Sequence, residues 1–320
     1  GGDDYKILIY DKDGRLIKQL DSMELDSMIN AGVDYDSSND RMLVLGHVTT
    51  TLKGKRAEVA GVKVLDRDGN FIFDFSLVKD HDTYALSQPH QIAYDRTHGR
   101  IIAVGIDSRV YIFDKNGEYI YKFSIPKYGS EQYIYAGAIL PSARLIRVWD
   151  VAYDHNNDRI ITADTWIPGY SNVQVLNSNG ERLLRLAPPG RTEFEPLMSV
   201  AYDHNHDRIM VADASNRIFI FDKDGRFITS LGNKGNKVLE FNNIQDIAYD
   251  PNNDRIIVAD HGNERVQVLT LVRDTGSSNN TEYQHYALLL TISIVVAVTL
   301  SSMIYYLKKH LLTSSHNLTK

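Results

Sequence analysis

One fourteen-residue block recurs along this 320-residue chain and limits what it can fold into. It reads V-A-Y-D-H-N-N-D-R-I-I-T-A-D from Val151, V-A-Y-D-H-N-H-D-R-I-M-V-A-D from Val200 and I-A-Y-D-P-N-N-D-R-I-I-V-A-D from Ile247. Weaker copies start at Ile92 and Val33. A second motif alternates with it: an apolar strand, a D-x-D/N-G turn and another strand, as in R-V-Y-I-F-D-K-N-G-E-Y-I-Y-K-F from Arg109 and the copy from Arg217. Further turns centre on Asp11–Gly14, Asp66–Gly69 and Asn177–Gly180. A fixed period of this kind means a supersecondary unit that buries its apolar faces against its own copies.

Each unit contains four short strands, a to d. Strand a ends at Tyr-Asp, b begins at Arg, c ends at the D-x-D-G turn and d follows it. The strands alternate and are rich in β-branched residues, as pleated half-buried segments are. The turn Asp can bond its own backbone two residues on, and the turn Gly supplies the positive φ the hairpin needs. Four-stranded units spaced 47 to 59 residues apart predict an all-β chain built as a β-propeller.

The copies at Ile247–Leu269 and Val200–Phe221 closely resemble the NHL repeat, and the resemblance extends over roughly Tyr5 to Leu271. It implies a propeller, usually six-bladed, that most often serves as a binding platform, and it implies no single chemistry. The recognisable strands number twenty-one, three short of six blades. The absent ones are consecutive: a closing d strand, then a and b of the first blade. They would precede Gly1, so the chain is expected to be a fragment with an incomplete ring and an export signal upstream.

The repeats stop near Leu271, and Ala287–Leu307 is a 21-residue run without charge. At ~1.5 Å per residue it spans roughly 31 Å, the thickness of a hydrocarbon core. Tyr283, Tyr286, Tyr305 and Tyr306 sit near its two ends, and Lys308 and Lys309 follow at once. The expected organisation is a propeller over 1–271, an extracellular linker over 272–286, a transmembrane helix over 287–307 and a cytoplasmic tail over 308–320. The positive-inside rule puts the propeller outside a cell membrane crossed once. The tail holds three lysines and no acid, so the part before the span carries −9 against −6 for the whole chain. That balance argues against a nucleic-acid partner. The absence of cysteine excludes disulfides, Cys-zinc sites and a cysteine nucleophile.

The a–b and c–d turns are short and uniform, whereas irregular insertions fall on the other face: Gly46–Gly61, Pro126–Leu145, Asp164–Ser171 and Ala187–Pro196. Variable loops on a rigid scaffold are where binding is built, so that face is the expected site. Trp149, Trp166, Tyr170, Tyr133 and Tyr135 should gather there and suit a protein, peptide or glycan partner. His90, Gln91, Asp150 and Asp246 should ring the mouth of the central channel. Asn279 heads a glycosylation sequon in the linker.

Other motifs carry less. Asp154-x-Asn156-x-Asp158, Asp203-x-Asn205-x-Asp207 and Asp250-x-Asn252-x-Asp254 resemble the first half of a calcium loop but lack its Gly and Glu. Arg159, Arg208 and Arg255 follow them and oppose a cation. His155, His204 and His206 lie in the same turns, on separate blades that should point them apart, so neither calcium nor zinc is the expected cofactor. With no catalytic constellation, the expected function is a membrane-anchored binding or scaffold module on the cell surface. The alternative is a metal-dependent propeller hydrolase or lyase. It would need Asp150, Asp246 and His90, with Gln91 as a further candidate, to converge on one ion.

Overall fold

The computed structural model describes residues 6–10, 15–21, 32–52, 54–78, 89–105, 107–126, 133–135, 138–140, 147–164, 171–273 and 286–289. Five four-stranded antiparallel sheets follow one another along the chain. Blade I comprises Val33–Asp36, Arg41–Leu52, Lys55–Asp66 and Phe71–Ser76. Blade II comprises Pro89–Asp95, Arg100–Gly105, Arg109–Asp114 and Tyr119–Ser124. Blade III comprises Val148–Asp154, Arg159–Asp164, Asn172–Asn177 and Arg182–Leu186. Blade IV comprises Leu197–Asp203, Arg208–Asp213, Arg217–Asp222 and Phe227–Leu231. Blade V comprises Ile244–Asp250, Arg255–Asp260, Arg265–Arg273 and Tyr286–Leu289. The a strands neighbour one another in this order around the centre. The fold is an all-β propeller, as the repeats predict.

A further hairpin, Lys6–Tyr10 with Leu16–Asp21, carries the c and d strands of another unit. Its Leu8 and Tyr10 pack on Ala248, Ile257 and Val266 of blade V. On its other side Lys18 Nζ donates to the Gly69 carbonyl of blade I at 3.3 Å. Among the described residues Lys6–Tyr10 pairs with Leu16–Asp21 and not with Arg265–Arg273.

The core lies between blades. Leu43, Val62, Ile92, Ile101, Tyr111 and Phe113 interlock blades I and II, and equivalent aliphatic and aromatic sets join II to III, III to IV and IV to V. Burial of this area is the main stabilising term. Two turns fix each blade. In the a–b turn, a fully buried Asp (Asp36, Asp95, Asp154 or Asp250, with Asp203 almost so) accepts turn N–H groups and the guanidinium of the Arg that opens strand b. The turn ends at a left-handed residue, Asp40, Asp158, Asp207 or Asp254, or Gly99 in blade II. Asp tolerates that conformation, and Tyr202 and Tyr249 donate their hydroxyls to Asp207 and Asp254 at 2.6 and 2.8 Å.

In the c–d turn, Gly117 and Gly180 have φ of +88° and +84°, and their bare Cα atoms lie against Phe75 and Phe123 of the preceding blade. Just beyond, the d strands of the N-terminal hairpin and of blades I to IV each take a one-residue bulge, at Ile17, Ile72, Ile120, Leu183 and Ile228. Four of these are 45 to 56% exposed. Interrupted ladders on outer strands protect sheet edges from pairing with other chains.

Two expectations change. Gly46–Gly61 is not an irregular loop: strands b and c of blade I continue as a ladder of paired residues to Leu52 and Lys55. The sequence reads as loop there because its alternation is blurred by small residues. The fourth strand of blade V is Tyr286–Leu289, paired to Thr270–Arg273, where the sequence places a linker and the start of the span. Among the described residues no helix is long and apolar enough to cross a membrane. Residues 290–320, and with them most of the expected span and tail, lie outside the described residues.

Candidate functional site

The a strands of blades II to V share a one-residue irregularity near their start. Pairing steps from Pro89 to Gln91, from Val148 to Asp150, from Leu197 to Ser199 and from Ile244 to Asp246. The residues left out of register are His90, Trp149, Met198 and Gln245. A bulge re-aims its side chain away from the sheet, so four blades present one residue each at the same mouth of the channel. Trp149 is 37% exposed, and its indole and the His90 imidazole have centroids 4.9 Å apart with planes tilted by 31°. Burial, with the Arg147 charge second, holds His90 below its ordinary 6.5. Its Nε2 is buried and has no hydrogen-bond partner among the described residues.

Beneath this tier sit Gln91, Asp150, Ser199 and Asp246, all buried. An a strand pairs with b along one edge only, so its other edge turns N–H groups toward the channel. These side chains satisfy them. Asp150 takes the N–H of its own Val151 and of Val200 on blade IV, both at 2.8 Å. Asp246 takes that of Ile247 at 2.9 Å and the Ser199 hydroxyl at 2.7 Å. Gln91 Oε1 takes Ile92 N–H at 3.1 Å. In blade I, Asp34 reaches the Tyr94 N–H at 2.6 Å. The mouth carboxylates therefore hold neighbouring blades together, and they do not converge as a ligand set with His90.

Between the mouths lies a cavity of about 120 Å³, lined by Asp34, Asp150, Asp246, the a-strand alanines, and His155 and His204 at its far end. The two imidazoles do not point apart. Their centroids are 6.0 Å apart, edge to face, and His204 continues onto Tyr249 at 5.7 Å. The repeats place this turn position at the channel rim and not on the outer circumference, which is why adjacent copies meet. Burial, reinforced by Arg96, depresses His155 to about 3 and His204 to about 4.

Two outer clusters have the composition of metal sites, Asp95–His98–Asp158 and Asp203–His206–Asp254. In both, an arginine already fills the cation's place: Arg100 lies 2.6 Å from Asp95 and 3.6 Å from Asp158, and Arg208 pairs with Asp203. The residues do not fit a metal.

Of the expected aromatic group, Trp149 stands at the mouth beside His90. Tyr133 and Tyr135 lie in a short strand paired with Ala138–Leu140, and their side chains lie outside the described residues, as do Trp166, Tyr170 and Asn279. Met198 and Gln245 were not singled out from the sequence. Aligning the repeats would have found them, as the variable column between an apolar residue and the channel-mouth position.

A family model described as a 6-bladed beta-propeller (DUF5128) matches residues 192–274, which hold blade IV and the first three strands of blade V. No curated protein matches. Among solved structures, one titled "Crystal structure of Nidogen/Laminin Complex" is similar at a TM-score of 0.56 and 11% identity, over 83% of this chain and 88% of that one. At that identity the likeness is one of fold. Sequence, sheet order and both comparisons agree on a β-propeller.

Proposed function

We propose that this chain is a binding module that recognises its partner at the mouth formed by His90, Trp149, Met198 and Gln245. The observation that carries this is the exposed indole of Trp149 seated on His90 by a backbone bulge. A rigid aromatic anchor loses little entropy on binding and supplies large contact area. The amide of Gln245 and the guanidinium of Arg147 add polar recognition beside it. This combination suits an extracellular protein, peptide or glycan. The propeller is of NHL type, lies outside a cell membrane and is held there by the uncharged run that follows its last strand, residues 290–307. The similar solved structure bears a title that names a complex of two proteins, which accords with a protein-binding use of the fold.

Tryptophan fluorescence of the full chain in detergent tests the reading, since Trp149 is one of only two tryptophans. Titration with a panel of soluble oligosaccharides and extended peptides should give a saturable change with one class, lost in Trp149→Phe and Trp149→Ala. If binding to the responding probe survives Trp149→Ala unchanged, or if no member of the panel perturbs the emission, the assignment of this mouth is wrong.

A further inference from the structure

The opposite mouth of the channel carries an independent arrangement. The second residue of each a–b turn faces the rim there: Ser37, Arg96, His155, His204 and Pro251 on blades I to V. Polar side chains around these positions are tied down. Asn156 Nδ2 donates to the His204 carbonyl at 2.8 Å and to Asp207 at 2.6 Å. Asn205 Nδ2 donates to the Pro251 carbonyl at 2.7 Å. The arginines that open the b strands, Arg41, Arg100, Arg159, Arg208 and Arg255, all pair with buried aspartates.

Three neighbours at the rim differ. Arg96 is exposed and makes no ion pair with any described residue. His155 lines the cavity with a buried Nδ1 that has no hydrogen-bond partner among the described residues. His204 lines it alongside, its ring against that of His155. The backbone adds donors. Asp34 caps the Tyr94 N–H, but Ala93, Ala152 and Ala201 stand at its position in the next three blades. They offer no acceptor to the N–H groups of Tyr153, Tyr202 and Tyr249, which the same register turns toward the cavity. A guanidinium, the His155 imidazole and three strand-edge amides thus gather at this rim, with the His204 ring beside them, itself hydrogen-bonded to the Tyr202 backbone. The carboxylates of Asp34, Asp150 and Asp246 line the same cavity and each accepts backbone N–H groups there. Asp95, beside Arg96, is held by Arg100 and its own turn.

We infer that the rim formed by Arg96, His155 and His204 is a second binding site, for a small oxyanion of phosphate size. The cavity of about 120 Å³ has room for about four waters at ~30 Å³ each, enough for one such ion. A charged group that accepts from a guanidinium and from ring N–H donors gains the stronger class of hydrogen bond. Arg96 opposes a metal cation at the same place.

The test is an NMR titration of the imidazole signals of the full chain with inorganic phosphate, and separately with acetate, each against sodium chloride at equal ionic strength. Phosphate should move the His155 and His204 signals saturably at millimolar concentration, and chloride should not. Arg96→Ser should weaken the effect at least about tenfold, the size of losing a hydrogen bond to a charged group. The double variant His155→Ser, His204→Ser should abolish binding, read by phosphorus NMR line width. Serine occupies the equivalent position in blade I, so thermal unfolding should show these variants folded. Trp149→Ala should leave phosphate binding intact, which separates this site from the one at the other mouth. A stronger response to acetate would reassign the site to a carboxylate and overturn the phosphate assignment. Imidazole signals that follow ionic strength alone, or a response unchanged in Arg96→Ser, would overturn the site itself.

Discussion

Asp150 of blade III and Val200 of blade IV are joined by a single hydrogen bond, from the Val200 N–H to Asp150 Oδ2 at 2.8 Å. The other oxygen takes the N–H of Val151. Both donors lie on inner strand edges that no neighbouring strand can reach. Asp150→Ala should leave two buried donors unmet and destabilise the fold by about 2–4 kcal/mol. Asp150→Asn keeps one acceptor and should cost less. Urea midpoints of the two variants check this; an Ala variant as stable as the parent would refute the capping role.

The turn glycines separate two costs. At Gly190 φ is +74° and nothing lies within 4 Å of an added Cβ, so Gly190→Ala should cost only left-handed strain, about 1–2 kcal/mol. At Gly117 the Cβ would sit 2.2 Å from the Phe75 ring. Gly117→Ala adds overpacking and should cost about 2–5 kcal/mol in all. Equal losses in thermal or urea unfolding would show that Phe75 does not wedge the turn.

Asp203 and Arg208 form a pair in which both side chains are almost wholly buried. Removing one partner leaves an uncompensated charge inside the blade. Asp203→Ala should destabilise by about 3–5 kcal/mol and also free the turn N–H groups of Asn205 and His206. Replacing both residues by apolar ones should recover part of that loss, a comparison that urea denaturation can make directly.

Stability should depend on pH through the paired imidazoles. His155 and His204 are depressed to about 3 and about 4 from an ordinary 6.5. Below pH 6.5 the unfolded chain takes up protons at both residues while the folded chain does not. The folded state is therefore fully favoured by them above 6.5 and loses ground as pH falls toward 4. Asp95 acts in a lower window. Against burial, which raises it, the His98 N–H and Arg100 hold its carboxyl below 3.8, so its contribution is lost only beneath that value. Between pH 7 and pH 5 the parent should lose more melting temperature than the double variant His155→Ser, His204→Ser. Parallel curves would count against it.

The blades were legible because their determinants are local. Tyr153-Asp154 and Arg159 announce a turn whose hydrogen bonds close within six residues, and Gly117 announces a positive φ on its own. What the sequence hides is relational. Nothing within residues 151–164 says that Asp150 spends its charge on Val200 of the next blade, or that His155 and His204 meet across a rim. Those facts depend on how tightly successive blades turn about the channel. The site was legible in part. His90 and Trp149 stood out as residue types, but the bulge that pairs them is an extra residue in a ladder, and an extra residue has no signature within one strand. The long hairpin to Leu52 was missed because Gly46, Gly61 and the run of threonines blur the alternation that marks paired strands.

The bulge on strand a has an evolutionary reading. Because His90, Trp149, Met198 and Gln245 stand outside the register of their sheets, each can be exchanged without disturbing a single cross-strand partner. The ladder and the four mouth positions are thus structurally independent of one another. A lineage could rewrite four positions, one per blade, and acquire a different partner while inheriting an unaltered ring.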